Sequence, residues 1–493
     1  MNRSPVNPVG ILGVGVAAPE LRLAAAAVGA AWGAGGGKHT IALCDADEDT
    51  LTLAWSAAVG ALGAAGVDGG ALSGLWWGTA RPPFAEGPSL ATLATALGLP
   101  ASADGLLAAG SPHAGAEALV AAWDAIAAGH AGLALVVASD ALVPGVGTAG
   151  EATTGAAAVA LVLGPTADAA NGSGPPARLA ARTSRQLAVV DRYRGDAQDA
   201  TADVYDGRLF REEVFLPLVT EAGRALAGTA GAIGAWSIGD GDGKLAGAAA
   251  RALGGPLAGA PILAELGDTG AAAALLGAVP VLAEAGTVGV VAYGGGRATA
   301  LAIEVSKPVP GAAGAVAALS RGRTVTYTEA VKARGQLVAM VDPVPMGVPP
   351  ASAAFVRGAL EMLALEGARC TSCGSISTPP SIHPRCAACG APGLEVVALA
   401  RRGRVETFVV NQTMPPPFQA PLPLIVLDLE DGARLMLQGA PADAERLAIG
   451  DPVELVLRRY AVERHVPVYG YKARLVASNA GDRVVAGAEG SGG

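Results

Sequence analysis

Four of the chain's five cysteines stand in one short stretch, as Cys370, Cys373, Cys386 and Cys389. They form two Cys-x-x-Cys knuckles separated by twelve residues. Four thiolates at this spacing can close a tetrahedral zinc site, each knuckle giving two sulfurs from a tight turn. Gly374 and Gly390 directly follow the second cysteine of each pair, where a positive φ lets backbone N–H groups turn toward the sulfurs. The alternatives are two disulfides or four inert thiols. A closed four-sulfur site leaves no open coordination position, so the expected Zn2+ is structural rather than catalytic.

Two other stretches imitate chemical motifs. Gly13-x-Gly15-x-x-Ala18 has the outline of a dinucleotide fingerprint, but Pro19 follows where a helix should open. Trp32–Lys38, WGAGGGK, lacks the first glycine of a phosphate loop and has His39 where Ser or Thr is needed. Asp47-Glu48-Asp49-Thr50 introduces an apolar helical run to about Ala65 and is read as a solvated acidic cap.

These residues must be carried by a large, alanine- and glycine-rich framework. The 493 residues suggest two to four domains. Hydrophobic content is 51% but aromatics only 4%, so close backbone approach and a broad subunit interface must supply packing. With 16% charged residues and a net charge of −9, a nucleic-acid partner is not expected. Rare, clustered cysteine suits a reducing cytosol. Val9–Ala18 is apolar, but Pro19, Glu20 and Arg22 interrupt it before a cleavage site. No stretch has the long uncharged run of a membrane helix, so the reading is a cytoplasmic protein without a membrane partner.

An internal repeat organises the first three hundred residues. Helix Ala114–Gly129, strand Leu133–Asp140 and strand Ala156–Gly164 return as helix Ala271–Ala285, strand Val288–Tyr293 and strand Thr299–Val305. Such apolar strands suit a sheet covered on both faces, giving a duplicated, layered α/β fold. Lys307–Val316 reads as a Pro/Gly/Ala linker, and Ala351–Glu366 as a helix leading into Cys370. Beyond Cys389, strands are expected at Gly403–Val410, Leu422–Leu429, Arg434–Leu437, Pro452–Tyr460 and Val468–Val476, enough for a small OB-type barrel. The expected divisions are an α/β domain over 1–306, a linker over 307–325, a lead-in helical segment over 326–369, a zinc ribbon over 370–400, a barrel over 401–477 and a disordered tail over 478–493.

The duplication, with Asp47–Thr50 and Leu133–Asp140, resembles the thiolase superfamily, closest to its 3-hydroxy-3-methylglutaryl-CoA synthase branch, over roughly Val9–Val305. The resemblance implies chemistry on acyl-CoA thioesters through a nucleophilic cysteine, a glutamate base and a histidine. Aligned with the nucleophile segment, Ser111–Leu119 puts Pro112 at the cysteine position. Gly78-Thr79 is followed by Ala80 where the glutamate is expected, and Gly239 takes the place of the histidine. The family triad is therefore read as lost. Ser111 and His113 are the remaining catalytic candidates, although Ser111-Pro112 also reads as a helix cap and His113–Glu117 as a helix-surface pair. The same resemblance makes Lys244 a candidate phosphate or pantetheine contact and gives Asp268 the place of a site-ordering asparagine; a solvated lysine and a helix cap are the plainer readings.

The C-terminal order of helix, zinc ribbon and OB barrel resembles the domain-of-unknown-function family associated with acyl-CoA metabolism. Its carriers are Cys370–Cys389, Thr378-Pro379-Pro380, Gly403–Phe408 and Tyr469–Arg474. Lys472, with Arg458 and Arg459, could supply charge for CoA phosphates, or simply lie on a solvated barrel edge. Together the two resemblances imply an acyl-CoA-binding protein, a homodimer through its thiolase-like domain, that serves a separate catalytic thiolase as a non-catalytic or regulatory subunit. The alternative is an acyltransferase with atypical catalytic residues.

Overall fold

The structure is a computed structural model that describes residues 8–166, 174–195, 200–201, 206–240, 243–337, 360–414, 418, 420–463 and 466–476. The first half of the repeat runs β1 (Val9–Ala17), β2 (Leu21–Ala24), α1 (Ala25–Ala31), β3 (Thr40–Leu43), α2 (Thr50–Ala65), β4 (Gly74–Thr79) and α3 (Ser89–Ala96). It continues through β5 (Asp104–Ala109), α4 (Ala114–Ala127), β6 (Ala134–Ala141) and β7 (Ala156–Pro165). The second half begins with β8 (Ala177–Gln186), α5 (Gly207–Leu209), α6 (Leu216–Ala230), β9 (Ala235–Ile238) and α7 (Lys244–Ala252). It ends with α8 (Ala260–Leu266), α9 (Ala273–Leu282), β10 (Gly286–Gly294) and β11 (Arg297–Val305).

Both halves contribute to one nine-stranded sheet, ordered β5-β4-β6-β7-β1-β8-β11-β10-β9. The duplication shows in its pairing. β4, β5 and β6 are parallel and β7 turns back antiparallel; β9 and β10 are parallel and β11 turns back. Strand alternation then sorts the side chains. On β11, Leu301, Ile303 and Val305 join the main core with α4 and α9, whereas Ala298, Ala300 and Ala302 face the cluster built on α6 and α7. On β1, Gly13 and Gly15 face α2 so closely that a Cβ on Gly15 would lie 2.2 Å from the Ala57 carbonyl oxygen. The glycines of the false fingerprint are therefore packing residues. They let a helix backbone rest on a strand.

The stretch 307–325, expected as a linker, is structured. It forms α10 (Ala312–Leu319) and β12 (Arg323–Val325), which pairs in parallel with β2. Ala312, Ala315 and Leu319 bury in the main core, because small apolar residues at helical spacing make a packing face even where Pro and Gly precede them. A capping box between Thr326 and Glu329 opens α11 (Tyr327–Ala333). The first compact unit accordingly spans Met1–Ala364, together with Leu457–Gly470. Its expected acidic cap is only partly as read. Asp49 caps α2 through Leu51 and Thr52 N–H, but Asp47 is buried, and the guanidinium of Arg458 lies 3.1 Å from Glu48 and 3.8 Å from Asp47. A buried cation thus replaces the water that the sequence suggested.

The second unit comprises Leu365–Val456 and Tyr471–Gly493. Its ribbon sheet orders β13 (Glu366–Cys370), β14 (Ile376–Ser377) and β15 (Leu394–Ala398) as β14-β13-β15. Five further strands follow close to their expected bounds: β16 (Arg402–Asn411), β17 (Leu422–Leu429), β18 (Arg434–Gln438), β19 (Pro452–Glu463) and β20 (Val466–Leu475). They order as β18-β17-β16-β19-β20, and a Gly439–Ala473 bridge brings the barrel close to closure. Most of the expected lead-in helix and the tail 478–493 lie outside the described residues; Leu360–Leu365 is a π-helical turn. No helix among the described residues is long and apolar enough to cross a membrane.

Candidate functional site

Where neighbouring strands of a sheet run parallel, as β4, β5 and β6 do and β9 and β10 do, ligands gather at their carboxyl ends, where turns leave backbone and side chains exposed. A cavity of about 230 Å³ lies at such a place in the first unit. Its wall takes Ser111 and Pro112 from the turn between β5 and α4, Gly239 and Asp240 from the end of β9, and Tyr293 and Gly294 from the end of β10. Pro112 and Gly239, which stand at the expected cysteine and histidine positions, thus meet in one cavity. Gly294 has to lack a side chain, since a Cβ there would lie 2.5 Å from Ser111 Oγ.

The buried carboxylate of Asp140, at the end of β6, fixes two edges near this site. It accepts from Thr79 Oγ1 at 2.7 Å, Ala80 N–H at 3.0 Å and Ala271 N–H at 2.7 Å. The end of β4 is thereby tied to the turn entering α9. Burial pushes the Asp140 carboxyl up to about 6 against these donors. Gly78-Thr79 is therefore held through the Thr79 hydroxyl, and neither Thr79 nor Ala80 lines the cavity.

Much of the cavity's polarity comes from residues that the motifs did not single out. The loop after β8 sends in Asp191 and Arg192. Tyr293 O–H donates to Asp191 Oδ2 at 2.6 Å, and burial together with that carboxylate pushes the phenol's pKa upward. Arg192 Nη1 donates to Asp268 Oδ2 at 2.6 Å, while Gly270 N–H donates to Asp268 Oδ1 at 3.0 Å. Asp240 accepts from Leu245 N–H at 2.7 Å and so caps α7. Phe210 and Phe215, on a π-helical turn before α6, pack against Tyr293 with ring centroids 5.8 and 5.3 Å away. Within this group the sequence marked Asp268 through the family resemblance and Tyr293 as the end of an expected strand. Asp191 and Arg192 sit in a loop without periodicity.

The sequence candidates separate. Asp268 enters the cavity as the ion-pair partner of Arg192, and it also accepts Gly270 N–H at the start of the helical turn leading into α9. Ser111 reaches the wall, and its Oγ accepts from His113 N–H at 3.1 Å. The His113 ring turns into the core instead, with Nε2 2.7 Å from Thr299 Oγ1 and 3.2 Å from Glu117 Oε1. Burial and Arg297 lower its pKa to about 4, so the ring is neutral near pH 7. His113 is thus not placed to serve Ser111 as a base. It is also not the helix-surface residue that the sequence suggested. Lys244 begins α7 and is exposed, next to the cavity residue Leu245. Lys472 is 3% exposed, so the plainer reading, a solvated barrel edge, does not hold for it.

The four ribbon cysteines do converge. Their Sγ atoms all lie within 4.8 Å of one another, with Cys370–Cys389 at 3.7 Å and Cys373–Cys386 at 3.6 Å, and none is in a disulfide. Gly374 and Gly390 have φ of 75° and 74°. Ser372 and Ala388 N–H groups each point at the first sulfur of their knuckle from 3.4 Å. N–H groups near Cys370 lower its thiol to about 6, the direction a thiolate ligand needs. The set fits a metal ion of tetrahedral, sulfur-preferring type.

Comparison with known proteins separates the chain along the same lines. Residues 396–458 match the family model described as ChsH2, C-terminal OB-fold domain. A DUF35 domain-containing scaffold protein of Methanothermobacter thermautotrophicus is 34% identical over 113 residues, covering 22% of this chain and 84% of that protein. The hydroxymethylglutaryl-CoA synthase of Thermococcus sibiricus is 31% identical over 161 residues, 32% of this chain. That match spans 46% of the synthase, a little under half its length. Among solved structures, MvaS in complex with 3-hydroxy-3-methylglutaryl coenzyme A superposes with a TM-score of 0.60 at 21% identity, covering 70% of this chain and 94% of that one. At that identity the likeness carries the fold alone. The N-terminal fold is thiolase-like and the C-terminal barrel is an OB fold.

Proposed function

Because the chain belongs to the DUF35 family through its C-terminal OB-fold region and carries a hydroxymethylglutaryl-CoA synthase-like thiolase fold ahead of it, we propose that it is an acyl-CoA-binding, non-catalytic or regulatory subunit of a thiolase-type complex. The observation that carries this reading is the cavity. It lies at the carboxyl ends of the strands and keeps open volume beside Ser111, Pro112 and Gly239, yet its described lining contains no thiol and no imidazole. A covalent thioester needs a sulfur nucleophile, and Pro112 has no nucleophilic atom. Coenzyme A thioesters would be held here and handed to, or sensed for, a separate catalytic thiolase. The scaffold designation of the DUF35 relative supports a partner of this kind. A homodimer through the thiolase-like domain and a cytoplasmic setting belong to the same reading, and the four-cysteine cluster would carry structural Zn2+.

Ser111 on the cavity wall favours a second reading, an acyltransferase with an atypical nucleophile. Incubation of the full chain with acetyl-CoA separates the two. The first reading expects a thermal shift without an adduct; ligand at one hundred times its Kd stabilises by about 2.7 kcal/mol. Turnover-dependent acetylation of Ser111, seen by intact-mass and peptide mass spectrometry, establishes the second reading. No shift with any CoA thioester refutes both.

A further inference from the structure

Three carboxylates line the cavity, Asp191, Asp240 and Asp268, and among its described lining residues Arg192 is the one cation. With the carboxylates ionised, three negative charges and one positive leave the wall at a net charge of minus two. The one positive charge is already paired, with Arg192 Nη1 2.6 Å from Asp268 Oδ2. Asp191 cannot swing into water. It is 7% exposed and held by the Tyr293 hydroxyl at 2.6 Å. The aromatic walls of Phe210, Phe215 and Tyr293 keep the local dielectric low, so a like charge inside is felt far more strongly than at the surface. Aromatic faces and carboxylates together also favour a cation.

We propose that Asp191 is a specificity-determining residue which, with Asp240 and Asp268, makes this cavity sort short acyl groups by the charge at their far end. An ammonium-ended chain is preferred, a neutral chain is accepted and a carboxylate-ended chain is rejected. The proposal rests on the cavity being the acyl-thioester site. The cavity, about 230 Å³, has room for a short acyl group. Asp191 acts by field and position. Asp268 sets the balance by neutralising Arg192.

Three CoA thioesters of matched acyl length isolate the effect, since the coenzyme part cancels: β-alanyl-CoA, propionyl-CoA and malonyl-CoA. Binding to the full chain is measured by titration calorimetry. The expected order is β-alanyl tighter than propionyl, with malonyl roughly tenfold or more weaker than propionyl. Asp191→Asn narrows the propionyl–malonyl gap several-fold. Asp268→Asn releases Arg192 and moves the preference toward malonyl. Thermal unfolding checks both variants, and the wild-type order decides the matter if either fails to fold. Malonyl-CoA binding as tightly as propionyl-CoA overturns this proposal and leaves the thioester site standing. Absence of binding by all three overturns the site itself, and the proposal with it.

Discussion

At Cys370 and Cys386 the sulfur faces an N–H from the residue two further on, and that arrangement stabilises thiolate whether or not metal is present. Metal content should therefore depend on these residues and be independent of Cys44, whose thiol is pushed up by burial and by nearby carboxylates. Elemental analysis of the purified chain is expected to give one zinc. Cys370→Ser and Cys386→Ser should each lose it, whereas Cys44→Ser should keep it. Chelation should unfold the ribbon, because metal binding is folding free energy in such modules. His113 makes a different kind of statement. Burial lowers its pKa to about 4, against 6.5 in an unfolded chain. Between those values the unfolded state binds the extra proton, so the contribution of neutral His113 is complete above about pH 6.5 and lost as pH falls toward 4. Urea midpoints measured at pH 7 and pH 5 should fall more for the wild type than for His113→Gln. An equal fall in both would show that the ring titrates normally.

Strand β1 and helix α2 show how an element can borrow a motif for packing. Backbone atoms of α2 occupy the space in which a Cβ on Gly13 or Gly15 would lie. Gly15→Ala should destabilise the chain by about 1–3 kcal/mol through overpacking, read as a lower denaturant midpoint. Unchanged stability would mean that the helix can slide away from the strand. The same small-residue logic explains α10. Its alanines looked like linker composition, yet their spacing buries one face against β1, where Gly311 adopts φ 89° to bring the chain close to Val14.

Over the whole molecule, the long sheet ends at β5, whose outer edge is unpaired among the described residues. β5 pairs with β4 on one side, and its residues Asp104–Ala109 carry no lysine, no proline and largely exposed side chains, with Leu106 41% exposed. Natural edges are normally charged, bulged or covered. An isologous pairing of β5 with β5 of a second copy would cover it, as the proposed homodimer requires. Light scattering should give the mass of two chains, and Leu106→Lys should shift the mass toward one chain without loss of secondary structure. A wild-type chain that runs as a monomer at tens of micromolar would remove the homodimer from the proposal.

What the sequence determined by itself is what local spacing can encode. The two cysteine knuckles, the glycines behind them, the alternating strands of the barrel and the repeated helix–strand–strand units are all readable over a few residues, because turn geometry and side-chain period act at that range. Even the positions of Pro112, Gly239 and Asp268 could be marked, since they sit in glycine-containing turns, the first two after strands and the third between helices. The tertiary structure alone decided how these positions are furnished. Arg192 reaches Asp268 across 76 residues and Tyr293 reaches Asp191 across 102, and no local pattern announces either pair. Burial did the rest. It turned His113 into a neutral core residue, placed Arg458 between Asp47 and Glu48, and withdrew Lys472 from solvent. The type of a charged residue is written in the chain; whether it meets water or another charge depends on which distant segments fold against it.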